Sequence, residues 1–296
     1  MRHVVSSDPL AGRLGLNVPY EWWPAAPLLK GFEAGGFAWA QIPSPPREIL
    51  SSPRECLAHA RAAAAALATT NLRPILHAPG GLRVGSPEAD RAFEGLLSYA
   101  VELGGELVVY HALDLPDQPG SQDPQLAETR SLGRLAGAAE RLGILIALEN
   151  LAPVFPGPER LSHTPLLLRS LAQRLSSPAV ALCLDLGHAH VVSDLRHTSL
   201  PALTEPVLDS VALFHLHDNL GARRGRPPAP QLDPLRLDLH LPPGRGTLPW
   251  HTVAERIAGH SAPLMLEVHP PQRGTAEALR DAAREALAEP VLGGVA

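Results

Sequence analysis

Several things are scarce in this sequence, and each shortage removes a class of function. Only two of its 296 residues are cysteine, Cys56 and Cys183. They lie far apart and outside any metal-binding spacing. Neither a disulfide scaffold nor a cysteine-based metal knuckle is therefore expected, and a reducing, cytoplasmic setting is the default. Lysine occurs once, at Lys30, and every other basic side chain is arginine. That removes a phosphate-loop lysine and disfavours Schiff-base chemistry. The formal net charge is -5, so no overall positive field recruits nucleic acid, although a local patch would suffice. No apolar run is long enough to cross a bilayer, and MRHVVSSDPLAGR at the start has no apolar signal-peptide core. A membrane partner is not expected.

What is present is a hydrophobic fraction of 45%, enough for a sizeable core. The length would allow two domains, but a single α/β barrel of about 250 residues or more also fits. Residues 1–12 read as a leader, 13–288 as one unit and 289–296 as a tail. Short apolar runs predict strands over 13–18, 37–42, 72–77, 106–111, 144–149, 179–185, 210–215 and 263–268. Helical patterns fall between them, over 25–34, from Pro53 through RAAAAALA, from Pro87 onward, and over 126–142, 163–175, 201–208, 249–258 and 276–288. Eight strands alternating with helices predict parallel strands joined by crossover helices. Runs such as LVVY and LIAL are apolar throughout, as in strands covered on both faces. The expected fold is a single-domain (β/α)8 TIM barrel. Residues 219–246, rich in proline and arginine, read as an active-site loop.

The strands end on a distinctive set of residues. RPILH ends at His77, LVVYH at His111, LIALE at Glu149, LCLD at Asp185, VALFH at His215 and LMLE at Glu267. The stretch LCLDLGHAH then turns at Gly187 and presents His188. A closed barrel puts all strand C-termini on one rim, where such barrels place their chemistry. Taken together, these ends predict a mixed nitrogen and oxygen site for zinc or manganese. DLHLPPGRG adds Asp238 and His240, two apart, so an extended segment would send both side chains the same way. Gly244 and Gly246 let the chain turn back toward its next helix. His190 and His269 lie close enough to these residues to orient ligands.

The motifs LHAP, VVYH, ALEN, CLDLGHAH, FHLHDN, DLHLPPGRG and LMLE together resemble the xylose isomerase-like TIM barrels over about residues 13–288. That superfamily includes sugar and sugar-phosphate isomerases and epimerases, and also endonuclease IV. The resemblance implies a core metal on Glu149, Asp185, His215 and Glu267. In the epimerase-type members the two glutamates also act as the acid/base pair. The endonuclease-type pattern implies three zinc ions: one on His77, His111 and Glu149, a second on the core set, and a third on His188, Asp238 and His240. One to three divalent cations per chain follow. The chain departs from both patterns. Leu16-Asn17-Val18 stands where endonuclease IV has His-x-Ser, His217 where many epimerases have lysine, and Arg245 where an acidic residue is usual.

Two activities follow from the resemblance. The first is isomerisation or epimerisation of a small sugar, sugar phosphate or polyol through a metal-stabilised enediolate. Glu149 and Glu267 would move the proton, and His188 would contact a substrate oxygen. His217 and Arg245, on the same rim, complete the substrate-binding set. Trp22 and Trp23 either wall the sugar's apolar face or pack the first loop. Arg223 and Arg224, with Arg226, either grip a phosphate or form a solvated loop. The second activity is cleavage of abasic DNA by a multinuclear zinc phosphodiesterase. The sequence leaves the substrate and the oligomeric state open.

Overall fold

A computed structural model describes residues 10, 12–20, 25–117, 120, 122–154, 156–222 and 237–288. Eight parallel strands close into a barrel in sequence order. They are β1 (Leu14–Asn17), β2 (Trp39–Pro43), β3 (Arg73–His77), β4 (Leu107–Tyr110), β5 (Leu145–Glu149), β6 (Val180–Asp185), β7 (Val211–Leu216) and β8 (Leu264–Leu266). The expected TIM barrel is borne out. Helices α1 (Ala26–Ala34), α2 (Arg47–Leu50), α3 (Pro53–Leu67), α4 (Pro87–Leu103), α5 (Gln122–Leu142) and α6 (Pro165–Leu175) fill the crossovers in the first part of the chain. In the second part lie α7 (Leu186–Leu195), α8 (Leu200–Thr204), α9 (Trp250–Ile257) and α10 (Ala276–Leu287).

Local chemistry accounts for the helix starts. Proline opens α3, α4 and α6 at the first helical position, where its missing N–H costs nothing. Ser86 caps α4 by accepting the Ala89 N–H, and Gly104 ends that helix in the left-handed conformation. The largest buried cluster fills the space between barrel and helices, with Phe93, Tyr99, Leu96 and Phe214 fully enclosed. A second, smaller cluster fills the barrel interior: Ile75, Leu107, Val109, Ala147, Cys183, Leu213 and Met265.

The chain differs from expectation in a few places. Residue 187 is not a turn: α7 begins immediately after β6, with Asp185 as its N-cap accepting the His188 N–H at 2.7 Å. The anticipated helix over 201–208 is α8 followed by a 3-10 segment, Glu205–Ser210. Likewise 163–175 divides into a 3-10 turn, Leu161–His163, and α6, because Pro165 restarts the helix. The short α2 had no apolar period to announce it. Of the leader, only Leu10 and Gly12 are described. The tail, Trp22, Trp23, Arg223, Arg224 and Arg226 lie outside the described residues. Among the described residues, no helix is long and apolar enough to cross a membrane.

Candidate metal centre

Strand side chains alternate between the two faces of a sheet. Residues two before the six strand-end candidates are Ile75, Val109, Ala147, Cys183, Leu213 and Met265, and all six belong to the interior cluster. The same parity therefore sends His77, His111, Glu149, Asp185, His215 and Glu267 inward, one layer above that cluster. Trp39 packs against the interior cluster too, which places Gln41 in the same polar layer.

At the centre stands His215, fully buried. Its Nδ1 lies 3.2 Å from Glu149 Oε1, 3.4 Å from Glu267 Oε2 and 3.8 Å from Asp185 Oδ2. Its Nε2 lies 2.8 Å from Gln41 Oε1. Gln41 Nε2 donates in turn to Glu267 Oε1. An amide nitrogen only donates, so the amide oxygen is left to accept the Nε2–H of His215. The Nδ1 lone pair of the neutral ring then faces three carboxylates. Gln41 belongs to this polar layer, and the reading of strand ends missed it because a glutamine is not a metal-binding type. Its parity with Trp39 was the available signal.

Two flanking groups share this chemistry. His77 Nε2 and His111 Nε2 lie 3.2 Å and 3.1 Å from Glu149 Oε2. On the other side, Asp238 Oδ2 lies 3.3 Å from His188 Nε2 and 2.8 Å from His240 Nε2. His77, His188 and His240 each direct Nδ1 at a backbone carbonyl, of Ala78, Asn150 and Glu267, at 2.7, 2.8 and 2.8 Å. A carbonyl only accepts, so Nδ1 carries the proton and the neutral ring's Nε2 lone pair points at a carboxylate. Lone pairs facing lone pairs repel unless a proton or a cation lies between them, and this second-nitrogen anchoring is the arrangement found behind metal-bound histidine. Ligand atoms of His77, His111 and Glu149 lie within 4.8 Å of one another, as do those of Glu149, Asp185, His215 and Glu267, and those of His188, His217, Asp238 and His240. The donor set fits divalent cations.

The supporting residues explain the motifs. Asn150 pairs with both backbone groups of Asp185, through Nδ2 to the carbonyl and Oδ1 from the N–H, each at 2.9 Å. Asp218 holds the returning chain by accepting the N–H of Leu248 at 3.0 Å and the indole N–H of Trp250 at 2.8 Å. Asn219 Oδ1 accepts the Leu239 N–H at 2.6 Å, between the two candidate ligands Asp238 and His240. A Cβ at Gly246 would stand 2.3 Å from both Asn219 O and Asp218 Oδ1, so this crossing needs glycine. Residues 237–240 are not an extended strand. His240 takes φ 48°, left-handed, and that twist brings its Nε2 back to Asp238.

Charge follows from this packing. Burial pushes the Glu149 carboxyl up, but His215 and His111 outweigh it and hold it well below the usual range. Glu267 behaves likewise under His215, and Asp238 under His240 and His188. Burial lowers His240, yet Asp238 overrides it and raises the imidazole to about 9. His188 and His215 are also raised against burial, the first by Asp185 and Asp238. Cys183 does not supply the anion at His215, because burial pushes its thiol up to about 12; Glu267 and Glu149 do.

The substrate-binding expectations fare differently. His217 is fully buried and its Nε2 lies 3.0 Å from Asp185 Oδ2. Its ring stacks on that of His240 at 3.9 Å, too parallel for both to aim in-plane lone pairs at one cation. It is packed against the candidate ligand Asp185 and is closed off from solvent. Arg245 is exposed, with no side-chain contact to the candidate ligands among the described residues. His190 Nε2 meets Thr247 Oγ1 at 2.9 Å, and the His269 ring lies 4.7 Å from that of His240. A cavity of about 550 Å³ is lined by Glu267 together with Asn17, Gln41, His77 and His240.

A family profile described as xylose isomerase-like TIM barrel matches residues 32–287. No curated protein matches the sequence. Among solved structures, a D-tagatose 3-epimerase-like protein superposes with TM-score 0.70 at 20% identity, covering 93% of this chain and 97% of its own. A 3-keto-D-glucoside 4-epimerase from E. coli gives 0.64 at 19%, covering 93% and 98%. A D-psicose 3-epimerase from Clostridium cellulolyticum H10 gives 0.67 at 15%, covering 93% and 99%. At such identities the likeness is one of fold.

Proposed function

The chain belongs to the xylose isomerase-like TIM barrel family, and from that premise we propose that it is a divalent-metal-dependent isomerase or epimerase of a small sugar, sugar phosphate or related polyol. One observation carries the reading. Glu149 and Glu267 converge on His215 and Asp185 at ligand spacing, and Glu267 also lines a cavity. The structural neighbours named for ketose and keto-glucoside epimerases support the substrate class.

Glu149, Asp185, His215 and Glu267 would hold the core cation, zinc or manganese. When bound, it stabilises the negative charge that develops on adjacent substrate oxygens. The residues of the chain do the rest. Glu267, which lines the cavity, would remove a proton from the carbon beside the carbonyl, and Glu149 would return one on the opposite face. Gln41 keeps one Glu267 oxygen occupied, so moving the proton requires Oε2 to loosen from the cation. His188, anchored through Nδ1 with Nε2 beside Asp238, would have to exchange that carboxylate for a substrate oxygen to contact the sugar.

A second reading, a multinuclear phosphodiesterase acting on abasic DNA, is favoured by one observation: His188, Asp238 and His240 also converge, and a four-ligand core does not require them. Metal analysis separates the two. One cation per chain supports the epimerase, and three support the nuclease. Solvent proton exchange into a panel of ketoses tests the first directly, and nicking of an abasic duplex tests the second. Metal-loaded protein that exchanges no proton with any ketose would remove the epimerase reading.

A further inference from the structure

Asn17 ends β1 in the inward polar layer, yet none of the candidate metal clusters uses it. Leu16 of β1 pairs with Leu266 of β8, so Asn17 and Glu267 stand side by side one residue further along adjacent strands. Asn17 Oδ1 takes two donors, the Val268 N–H at 3.3 Å and Nη2 of Arg273. Both groups can only donate, so the oxygen end of the amide must face them. The NH2 end is turned away from them and has no protein partner among the described residues. Asn17 lines the same cavity as Glu267, His77 and His240.

Arg273 fixes that orientation in an unusual way. It is only 5% exposed. Its Nη2 also donates to Val268 O at 3.0 Å, while Nε and Nη1 have no partner. No carboxylate lies within ion-pair distance of it among the described residues. Its guanidinium lies over the Phe32 ring, 5.8 Å from the centroid. Burying a guanidinium without a carboxylate is costly, and a neutral donor would tie down a strand end as well. The cation adds a single orientation for Asn17 and a positive field beside Glu267.

We propose that the Asn17 Nδ2 amide donates to a hydroxyl or carbonyl oxygen of the substrate in the cavity beside Glu267, and that Arg273 is the positioning residue that keeps it turned there. This deepens the sugar-epimerase reading and rests on it for the substrate class. It assigns the β1 side of the mouth to an uncharged, oxygen-bearing part of the substrate.

Asn17→Asp separates this role from a structural one. The aspartate keeps an oxygen for Arg273 and Val268, so the fold is retained, but the donor becomes a second carboxylate oxygen. Wild type, Asn17→Asp and Arg273→Met are compared at equal measured metal content. The readouts are melting temperature, calorimetric affinity for D-tagatose, and KM and kcat on whichever ketose the wild type converts. Expected for Asn17→Asp are an unchanged or raised melting temperature, about tenfold weaker D-tagatose binding, and KM rising more than kcat falls. Arg273→Met should lower the melting temperature and raise KM in the same way. Wild-type affinity in Asn17→Asp overturns the inference and leaves the epimerase reading standing. Wild-type protein that binds ketoses without exchanging a proton removes that reading, while the affinity comparison still judges Asn17. A wild type that binds none of them overturns both.

Discussion

Gly187 and the imidazole of His217 compete for one small space: a Cβ on residue 187 would stand 2.3 Å from His217 Cε1 and 2.5 Å from its Nδ1. Glycine in a helix costs about 1 kcal/mol relative to alanine, and Gly187 sits in the first turn of α7. What it provides is room for the ring that holds Asp185. Gly187→Ala should therefore destabilise the protein by about 1–3 kcal/mol through overpacking, despite the better helix former. The double variant Gly187→Ala/His217→Ala should lose less than the two single losses combined. Urea unfolding of all four proteins forms the cycle; strictly additive losses would show that the ring and the glycine are not coupled.

Gln41 supports a different prediction. It is buried, accepts from His215 and donates to Glu267. Gln41→Leu leaves the His215 Nε2–H without a buried partner, a loss of about 1–3 kcal/mol. It also frees the ring to exchange tautomers, so metal affinity should fall about 10- to 100-fold. Competition with a chelating dye measures this. Affinity within twofold of wild type would mean that the glutamine does not set the ring.

Much of this was legible before any coordinates, and the parity of strand residues says why. Apolar runs ending on His, Asp or Glu carry their own address, because a strand end on a barrel rim is both inward and at the mouth. His77, His111, Glu149, Asp185, His215 and Glu267 could be read that way. Asn17 and Gln41 occupy the same layer, but an amide at a strand end is also what an ordinary surface edge carries. His217 read as a mouth residue because it lies two beyond His215. Its burial depends on Gly187, which belongs to a different strand–helix unit. That packing has no signature in the local sequence.

Glu149 is the residue shared by two clusters, with its two oxygens divided between them. Oε1 faces His215, and Oε2 faces His77 and His111. Glu149→Gln keeps the shape but replaces one ligand oxygen with a donor that repels a cation. Turnover should fall by at least about 10³-fold if Glu149 both binds metal and moves a proton, and bound metal should drop by one equivalent or more. Elemental analysis of the variant, alongside activity, checks it; full metal content with full turnover would place the chemistry elsewhere on the rim.

Without metal, the cluster should make stability depend on pH from both sides. The raised imidazoles contribute stability that is fully present below their unfolded value, near 6.5, and lost as pH rises through the folded value. For His240 that value is about 9. The depressed carboxyls of Glu149, Glu267 and Asp238 contribute in the opposite sense. Their share is present above their unfolded values and lost as pH falls below about 4. Chelator-treated protein should therefore be most stable between about pH 4.5 and 6.5, and its melting temperature should fall on the order of 5–10 °C between pH 6.5 and 9. A cation needs the same imidazole nitrogens free of protons, so zinc or manganese binding releases protons and strengthens with pH. The loaded protein should then keep its melting temperature over the interval in which the metal-free protein loses it. Thermal scans of both forms across pH 5–9 decide the matter: parallel curves would mean that protons and cations do not compete for His240.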